Sequence, residues 1–218
     1  MPVITNISEQ RRRANRRNIY LDGAFAFGCN LNVVAKFMLR PGMSLSDEQV
    51  RQIQLGEVKQ ECFDAAMRLL ESRMHSTAEI RRKLARKEYG DATLSAVIDD
   101  LTRLGYLNDE QFAKSKAASA AERKQHGRRR AKAELMRAGV KSDVADKALD
   151  HVYDAADTTA VARELAMKQA PRLKKLDPQV ARRRLVGMLQ RRGFDYDDIK
   201  PVVEEVLGRG GERGDADA

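Results

Sequence analysis

Apolar residues recur at three- and four-residue spacings along most of the chain, most clearly between Ser76 and Leu107. Ile80 and Leu84 lie one helical turn apart, and Leu94, Val97, Ile98 and Leu101 resume the spacing beyond Tyr89-Gly90-Asp91. Side chains so placed share one face of a helix, so this stretch predicts two helices joined by a tight turn. Ser76 followed by Glu79 is a capping-box pattern for the first. Gly105-Tyr106-Leu107 closes the second, and Asn108 or Asp109 can cap the next helix. The remaining positions of the first helix are filled with positive charge: Arg81, Arg82, Lys83, Arg86 and Lys87.

The helical pattern continues downstream and extends a little upstream. Val58, Cys62, Ala65, Ala66, Leu69 and Leu70 predict a helix from Glu57 to Met74. Asp109 to Lys124 reads as an alanine-rich helix anchored by Phe112 and ended by His126-Gly127. Arg128 to Ala138 is a basic helix stopped by Gly139, and Ser142 caps a helix to Tyr153. Another runs from about Thr158 to Ala170, before Pro171. Asp177, with Pro178 at the first helical position, opens one that ends at Arg192-Gly193; the last spans about Asp197 to Leu207.

The N-terminal pattern is different. Asp22-Gly23 between two short β-prone runs signals a hairpin. The arginines at 11, 12, 13, 16 and 17 are expected in a solvated connection before it. A hairpin of this size must pack on a neighbour or gain a third strand from residues 3 to 9. Leu31 to Leu39 is a short helix stopped by Arg40-Pro41-Gly42, and Ser46 with Gln49 caps another through about Leu55.

Three segments match when overlaid. Leu84 and Tyr89, Leu135 and Val140, and Leu189 and Phe194 are each five residues apart, with offsets of 51 and 54 between the leucines. Each pair precedes a polar stretch and then an apolar helix. A period near fifty implies stacked modules, here of three helices each. The fold class expected is therefore mainly α, a tandem array of three-helix repeats with a small N-terminal β-hairpin region. The boundaries expected are 1–55 for that region, 56–105, 106–154 and 155–207 for the repeats, and 208–218 for a disordered tail.

Cations share this register. Arg86, Arg137 and Arg191 each lie two residues beyond the anchoring leucine, and Arg129-Arg130 matches Arg183-Arg184. In the first repeat that second charge pair is moved to Arg81 and Arg82. An arginine in the last turn complements the helix dipole, but arginines near a helix start oppose it, which favours a functional reason. With Lys132, these ten residues are the candidate partner- or DNA-binding set. In the middle repeat Ala131, Leu135 and Ala138 define the buried face, so Arg129, Arg130 and Arg137 can reach a partner without disturbing the core. Reversing Arg129 and Arg130 to Glu would place negative charge near a helix start, so such a chain is expected to fold at least as well as its parent.

Composition narrows the function. A formal net charge of +9 over 218 residues suits a polyanion or an acidic protein surface. There is no apolar run long enough to span a membrane, and the N-terminal residues lack the apolar core of a signal peptide. Cys29 and Cys62 form no metal-ligand pattern and suit a reduced, cytoplasmic compartment. Phosphate-loop, dinucleotide and zinc-protease motifs are missing. His75, His126 and His151 have no cysteine or carboxylate at ligand spacing, and Asp99-Asp100 and Asp197-Asp198 read as helix faces and caps. No catalytic, metal or cofactor site is expected; the pattern is that of a binding protein.

Taken together, these features resemble the RecX family of regulatory proteins, which bind the RecA recombinase. The match is carried by Ser76, Glu79, Ile80, Leu84 and Tyr89, by Gly105 to Asp109 with Phe112-Ala113, and by Gly127, Arg130, Glu134, Leu135 and Gly139-Val140. Ile19 to Gly23 with Phe25 to Gly28 looks like the N-terminal extension of some members. The resemblance covers roughly residues 15 to 207. Ala131 departs from it where a larger aliphatic is usual, and Glu88 where a glycine is common. The resemblance implies a curved, elongated array lodged in the groove of the RecA–DNA filament as a monomer. There it would lower ATP hydrolysis, strand exchange and self-cleavage of the SOS repressor, with single- or double-stranded DNA as a further partner. The alternative is a helical DNA- or RNA-binding protein or transcriptional regulator, because basic helices after tight turns suit helix-turn-helix docking. Against it, few exposed Asn or Gln residues are present to read adenine. A structural adaptor would require an exposed apolar patch.

Overall fold

A computed structural model describes residues 1–11, 13–154 and 156–208. The N-terminal region is a three-stranded antiparallel sheet of β1 (Ile4–Gln10), β2 (Arg13–Leu21) and β3 (Ala24–Asn30), in that order. Asp22 and Gly23, at φ of 50° and 84°, make the two-residue turn between β2 and β3. The third strand that the hairpin requires is supplied by β1. Ile4, Ile19 and Cys29 turn one face of the sheet into a core.

The arginine run is only partly a loop, with Arg11 in the turn after β1. Arg13, Arg16 and Arg17 lie within β2; Arg12 is outside the described residues. Neighbouring strand residues point to opposite sides, so Arg16 and Arg17 find different partners. Arg16 reaches Glu57 at 2.8 Å and Glu61 at 3.1 Å, and Arg17 pairs across the ladder with Glu9 at 2.9 Å.

The short α1 (Leu31–Lys36) leads to α2 (Asp47–Ser72), a single 26-residue helix where two are expected from the sequence. Both bonds of the Ser46–Gln49 capping box form. Gly56 does not interrupt α2; it makes room for the Phe37 ring, which a Cβ there would meet at 2.9 Å. The boundary expected at 55/56 therefore falls inside a helix, with Ile53 in the first core and Cys62, Ala65 and Ala66 in the next. That second core is completed by α3 (Thr77–Ala85) and α4 (Asp91–Arg103) through Ile80, Leu84, Leu94, Val97, Ile98 and Leu101.

The chain divides into two compact units, Met1–His75 with Glu79–Leu107, and Ser76–Ala78 with the residues from Asn108 onward. The second contains two further cores. One joins α5 (Asp109–Ala118), α6 (Arg128–Ala138) and α7 (Ser142–Tyr153); the other joins α8 (Thr158–Leu173), α9 (Pro178–Arg192) and α10 (Tyr196–Leu207). The helix expected to reach Lys124 ends as α5 at Ala118 and continues as a five-residue π turn, Ser119–Arg123. Pro171 does not stop α8: so near the end it forfeits one backbone bond, and the helix closes after Leu173. Asp177 caps α9 by accepting from the amides of Gln179 and Val180, and Gly193 ends it in the left-handed conformation. Leu84, Leu135 and Leu189 are each fully buried, so the repeat register marks equivalent core positions. The tail expected at 208–218 lies outside the described residues beyond Gly208.

Candidate partner-binding surface

The ten cations singled out by the repeat pattern fall into separate groups. In the first unit Arg81 and Arg82 lie exposed on α3, Arg86 just beyond it, and Arg81 donates to Ser95 Oγ at 3.1 Å. On α6, Ala131, Leu135 and Ala138 are buried as the spacing requires, and Arg129, Arg130 and Arg137 are exposed.

Most of the charge on α6 is answered within the chain. Arg128 pairs with Asp150 and lies 3.8 Å from Asp154; Arg129 is 3.7 Å from Asp195, and Arg130 is 3.8 Å from Glu134. Lys132 contacts Asp146 at 2.6 Å, and its hydrogen bond holds that carboxyl below the usual range. Partial burial pushes Glu134 up, but the Lys124 bond and the neighbouring cationic groups outweigh it and leave it lowered. His126 Nδ1 also lies 3.1 Å from Glu134, a neighbour that sequence spacing does not suggest.

The helix end supplies another part of the explanation. Gly127 N–H donates to the Arg192 carbonyl at 2.8 Å, Arg129 N–H to Gly193 at 3.1 Å, and the Arg130 guanidinium to Arg191 at 3.1 Å. The N-terminus of α6 thus abuts the C-terminus of α9, whose orphan carbonyls favour cations. The surplus of arginine at the start of α6 has a structural cause, contrary to the inference from dipole direction alone.

The repeat on α9 is different. Arg183, Arg184 and Arg191 are exposed and form no ion pair among the described residues. Together with Arg172 they line a groove of about 610 Å³ between α8 and α9. Gln169, Arg172 and Leu173 in the last turns of α8, with Leu176 in the turn beyond it, supply one wall; Arg184, Leu185, Met188 and Arg191 of α9 supply the other at i, i+1, i+4 and i+7. Arg172 escapes the repeat comparison because it lies on the helix before the basic one. Its signal is the spacing of Gln169, Arg172 and Leu173 on one face of α8.

Cys29 and Cys62 are buried free thiols, and burial, reinforced by Glu57, pushes Cys29 up to about 12. Among the described residues no His, Cys, Asp or Glu cluster could hold a metal ion, and no helix is long and apolar enough to cross a membrane.

Three-helix modules in tandem, the third with a basic groove free of carboxylates among the described residues, define a helical-repeat protein. Descriptions of RecX domains match the chain in order: the regulatory protein RecX N-terminal domain at residues 2–46, and the first, second and third three-helix domains at 62–101, 108–149 and 156–203. The chain belongs to the RecX family of regulatory proteins. It is 32% identical to regulatory protein RecX of Bacillus subtilis (strain 168) over 206 residues, covering 94% of this chain and 78% of that one. The RecX of Clostridium perfringens (strain 13 / Type A) is 30% identical over 208 residues, covering 94% and 97%. The fold matches a crystal structure of regulatory protein RecX with a TM-score of 0.77 at 22% identity, covering 95% and 98%. RecX from Lactobacillus salivarius matches at 0.61 and 22% identity, covering 69% and 97%.

Proposed function

We propose that this chain binds the RecA recombinase–DNA filament and restrains it, lowering ATP hydrolysis, strand exchange and SOS repressor self-cleavage. It acts in the cytoplasm as a monomer, by binding rather than catalysis. The observation that carries this reading is membership of the RecX family over nearly the whole chain. The arginines on α9 that form no ion pair among the described residues support it, because they suit an acidic protein face or DNA phosphates.

The test is capture of RecA by the immobilised chain, with and without single-stranded DNA and a slowly hydrolysed nucleotide. Retention that requires both DNA and nucleotide is the expected result. Retention of DNA to which RecA adds nothing would replace this reading with direct nucleic-acid binding, and retention of neither would overturn both. Inhibition of the DNA-dependent ATPase should also weaken as salt shortens the screening length from tens of ångströms to about 8 Å.

A further inference from the structure

Four arginines around an apolar floor call for an occupant with negative charge at its edges and one apolar group at its centre. We propose that the groove between α8 and α9 docks an acidic peptide segment carrying a single aliphatic or aromatic anchor. This deepens the RecA reading, on which it rests for the identity of the protein that supplies the segment.

Charge complementarity is the first argument. Arg172, Arg183, Arg184 and Arg191 keep their guanidinium groups unpaired among the described residues, whereas Arg128, Arg129 and Arg130 on α6 do not. Guanidinium is weakly hydrated and presents a planar fork that matches carboxylates. The floor is the second argument. Leu176 and Met188 are half-buried over the fully buried Leu185, so an inserted side chain would be desolvated against Leu and Met. A buried anchor ringed by polar contacts is how interface energy is commonly concentrated, and Met adapts to the shape of what it meets. The volume, about 610 Å³, suits a side-chain anchor with its flanking backbone.

The groove fits single-stranded nucleic acid less well. Among the described residues no aromatic side chain lines it, so an unstacked base would find no platform there. Gly187 contributes as well, because the Arg191 guanidinium lies over it: a Cβ there would stand 3.2 Å from Arg191 Nη1. The absence of a side chain at 187 lets Arg191 lie along the helix surface at the groove edge.

The experiment is fluorescence anisotropy with the full chain and a labelled peptide of mixed Glu and Asp around one central leucine. Comparators are the same peptide with serine at the centre and a labelled oligothymidylate. Saturable binding of the leucine peptide is expected, weaker by about tenfold or more with serine, given what burial of one leucine contributes. Arg184→Ala/Arg191→Ala should weaken it about tenfold or more, the loss expected of two charge-assisted contacts, with an unchanged melting curve. Gly187→Ala, which displaces Arg191 without removing it, should weaken binding less and guards against a folding defect in the double variant. Equal affinity for the two peptides, or no saturable binding, overturns the proposal. Tighter binding of oligothymidylate with the same arginine dependence overturns it in favour of a phosphate site. RecA capture by the parent chain is scored separately: capture without peptide binding sinks only the groove, and peptide binding without capture sinks only the RecA reading.

Discussion

Gly127 lies against Gly193 with no space for a side chain between them. A Cβ on Gly127 would overlap the carbonyl of Gly193, and one on Gly193 would overlap the backbone of Arg130. This approach lets the free amides at the start of α6 donate to the last carbonyls of α9, so two helix ends satisfy each other. One repeat earlier, the residue in Gly127's register is Ser76. Its hydroxyl donates at 2.6 Å to the carbonyl of Ala138, the counterpart of Arg192.

Alanine at either glycine should therefore be costly. Gly127→Ala and Gly193→Ala are each expected to lose about 1–3 kcal/mol by overpacking against backbone. The loss at Gly193 should be the larger, because its φ of 88° is strained for alanine. Gly187→Ala, inside α9 with only a flexible arginine tip nearby, should instead gain about 0.5–1 kcal/mol. Urea denaturation of the three variants checks the order; comparable losses would mean that the α6–α9 contact does not hold in solution.

Glu88 occupies the register of Gly139 and Gly193 and, like them, is left-handed, at φ of 61°. A non-glycine residue there costs about 1–2 kcal/mol, partly offset because glycine has more freedom to lose on folding. Glu88→Gly should raise stability by about 0.5–1 kcal/mol. A lower melting temperature would show that the Glu88 side chain contributes more than its backbone strain removes.

The modules were legible because core positions obey the helical period: Leu84, Leu135 and Leu189 are buried for the same reason that they repeat. Gly139 and Gly193 were likewise legible as helix stops, since their left-handed backbone is a local requirement. What local pattern could not show was tertiary compensation. The helices expected to end near Leu55 and to start at Glu57 are one because Phe37 fills the space over Gly56, and Arg16 reads as part of a loop until Glu57 and Glu61 face it. The dipole argument about Arg128 to Arg130 failed because it considered only α6, while α9 ends against the same residues. The groove was half legible: Arg183, Arg184 and Arg191 share the repeat, but Arg172 joins them only through the packing of α8 on α9.

His75 gives the first unit a pH dependence. It is buried, with Nδ1 3.0 Å from the Arg73 carbonyl and Nε2 2.8 Å from Lys83 Nζ. This pairing requires the neutral ring, protonated at Nδ1 and accepting from Lys83. Burial, with the nearby Arg73 and Lys83 charges, lowers its pKa below 6.5. The unfolded chain then binds the proton more readily, so stability should be level above 6.5 and fall as pH drops below it. His75→Asn, which can keep the bond to Arg73, should flatten that slope in denaturation curves recorded across the interval. An unchanged slope would place its origin elsewhere.

Removing residues 1–55 deletes the sheet, α1 and the first turns of α2, but leaves the three helical cores intact. Glu57 and Glu61 lose Arg16, yet they also lose the sheet that covers them and return to water. The truncated chain should keep a strong helical circular dichroism signal and melt cooperatively. A largely unfolded product would show that the sheet is required to hold α2.

The paired and unpaired arginines separate charge used for folding from charge available to a partner. Arg129→Glu/Arg130→Glu would set new carboxylates beside Asp195 and Glu134, at the negative end of α9. The expectation from sequence alone, that this chain folds at least as well as its parent, is therefore replaced by a loss of about 1 kcal/mol or more. Arg183→Glu/Arg184→Glu breaks no ion pair among the described residues, so its stability should stay within about 0.5 kcal/mol of the parent. Leu135→Ala marks the other extreme, losing about 2–5 kcal/mol from a fully buried position and failing through unfolding. Thermal melts and inhibition of RecA's ATPase, compared at equal concentrations of folded protein, distinguish the three. The Arg183/Arg184 reversal should melt normally and lose most of its inhibition. If it inhibits as well as the parent, while the Arg129/Arg130 reversal does not, α6 rather than the groove on α9 faces the filament.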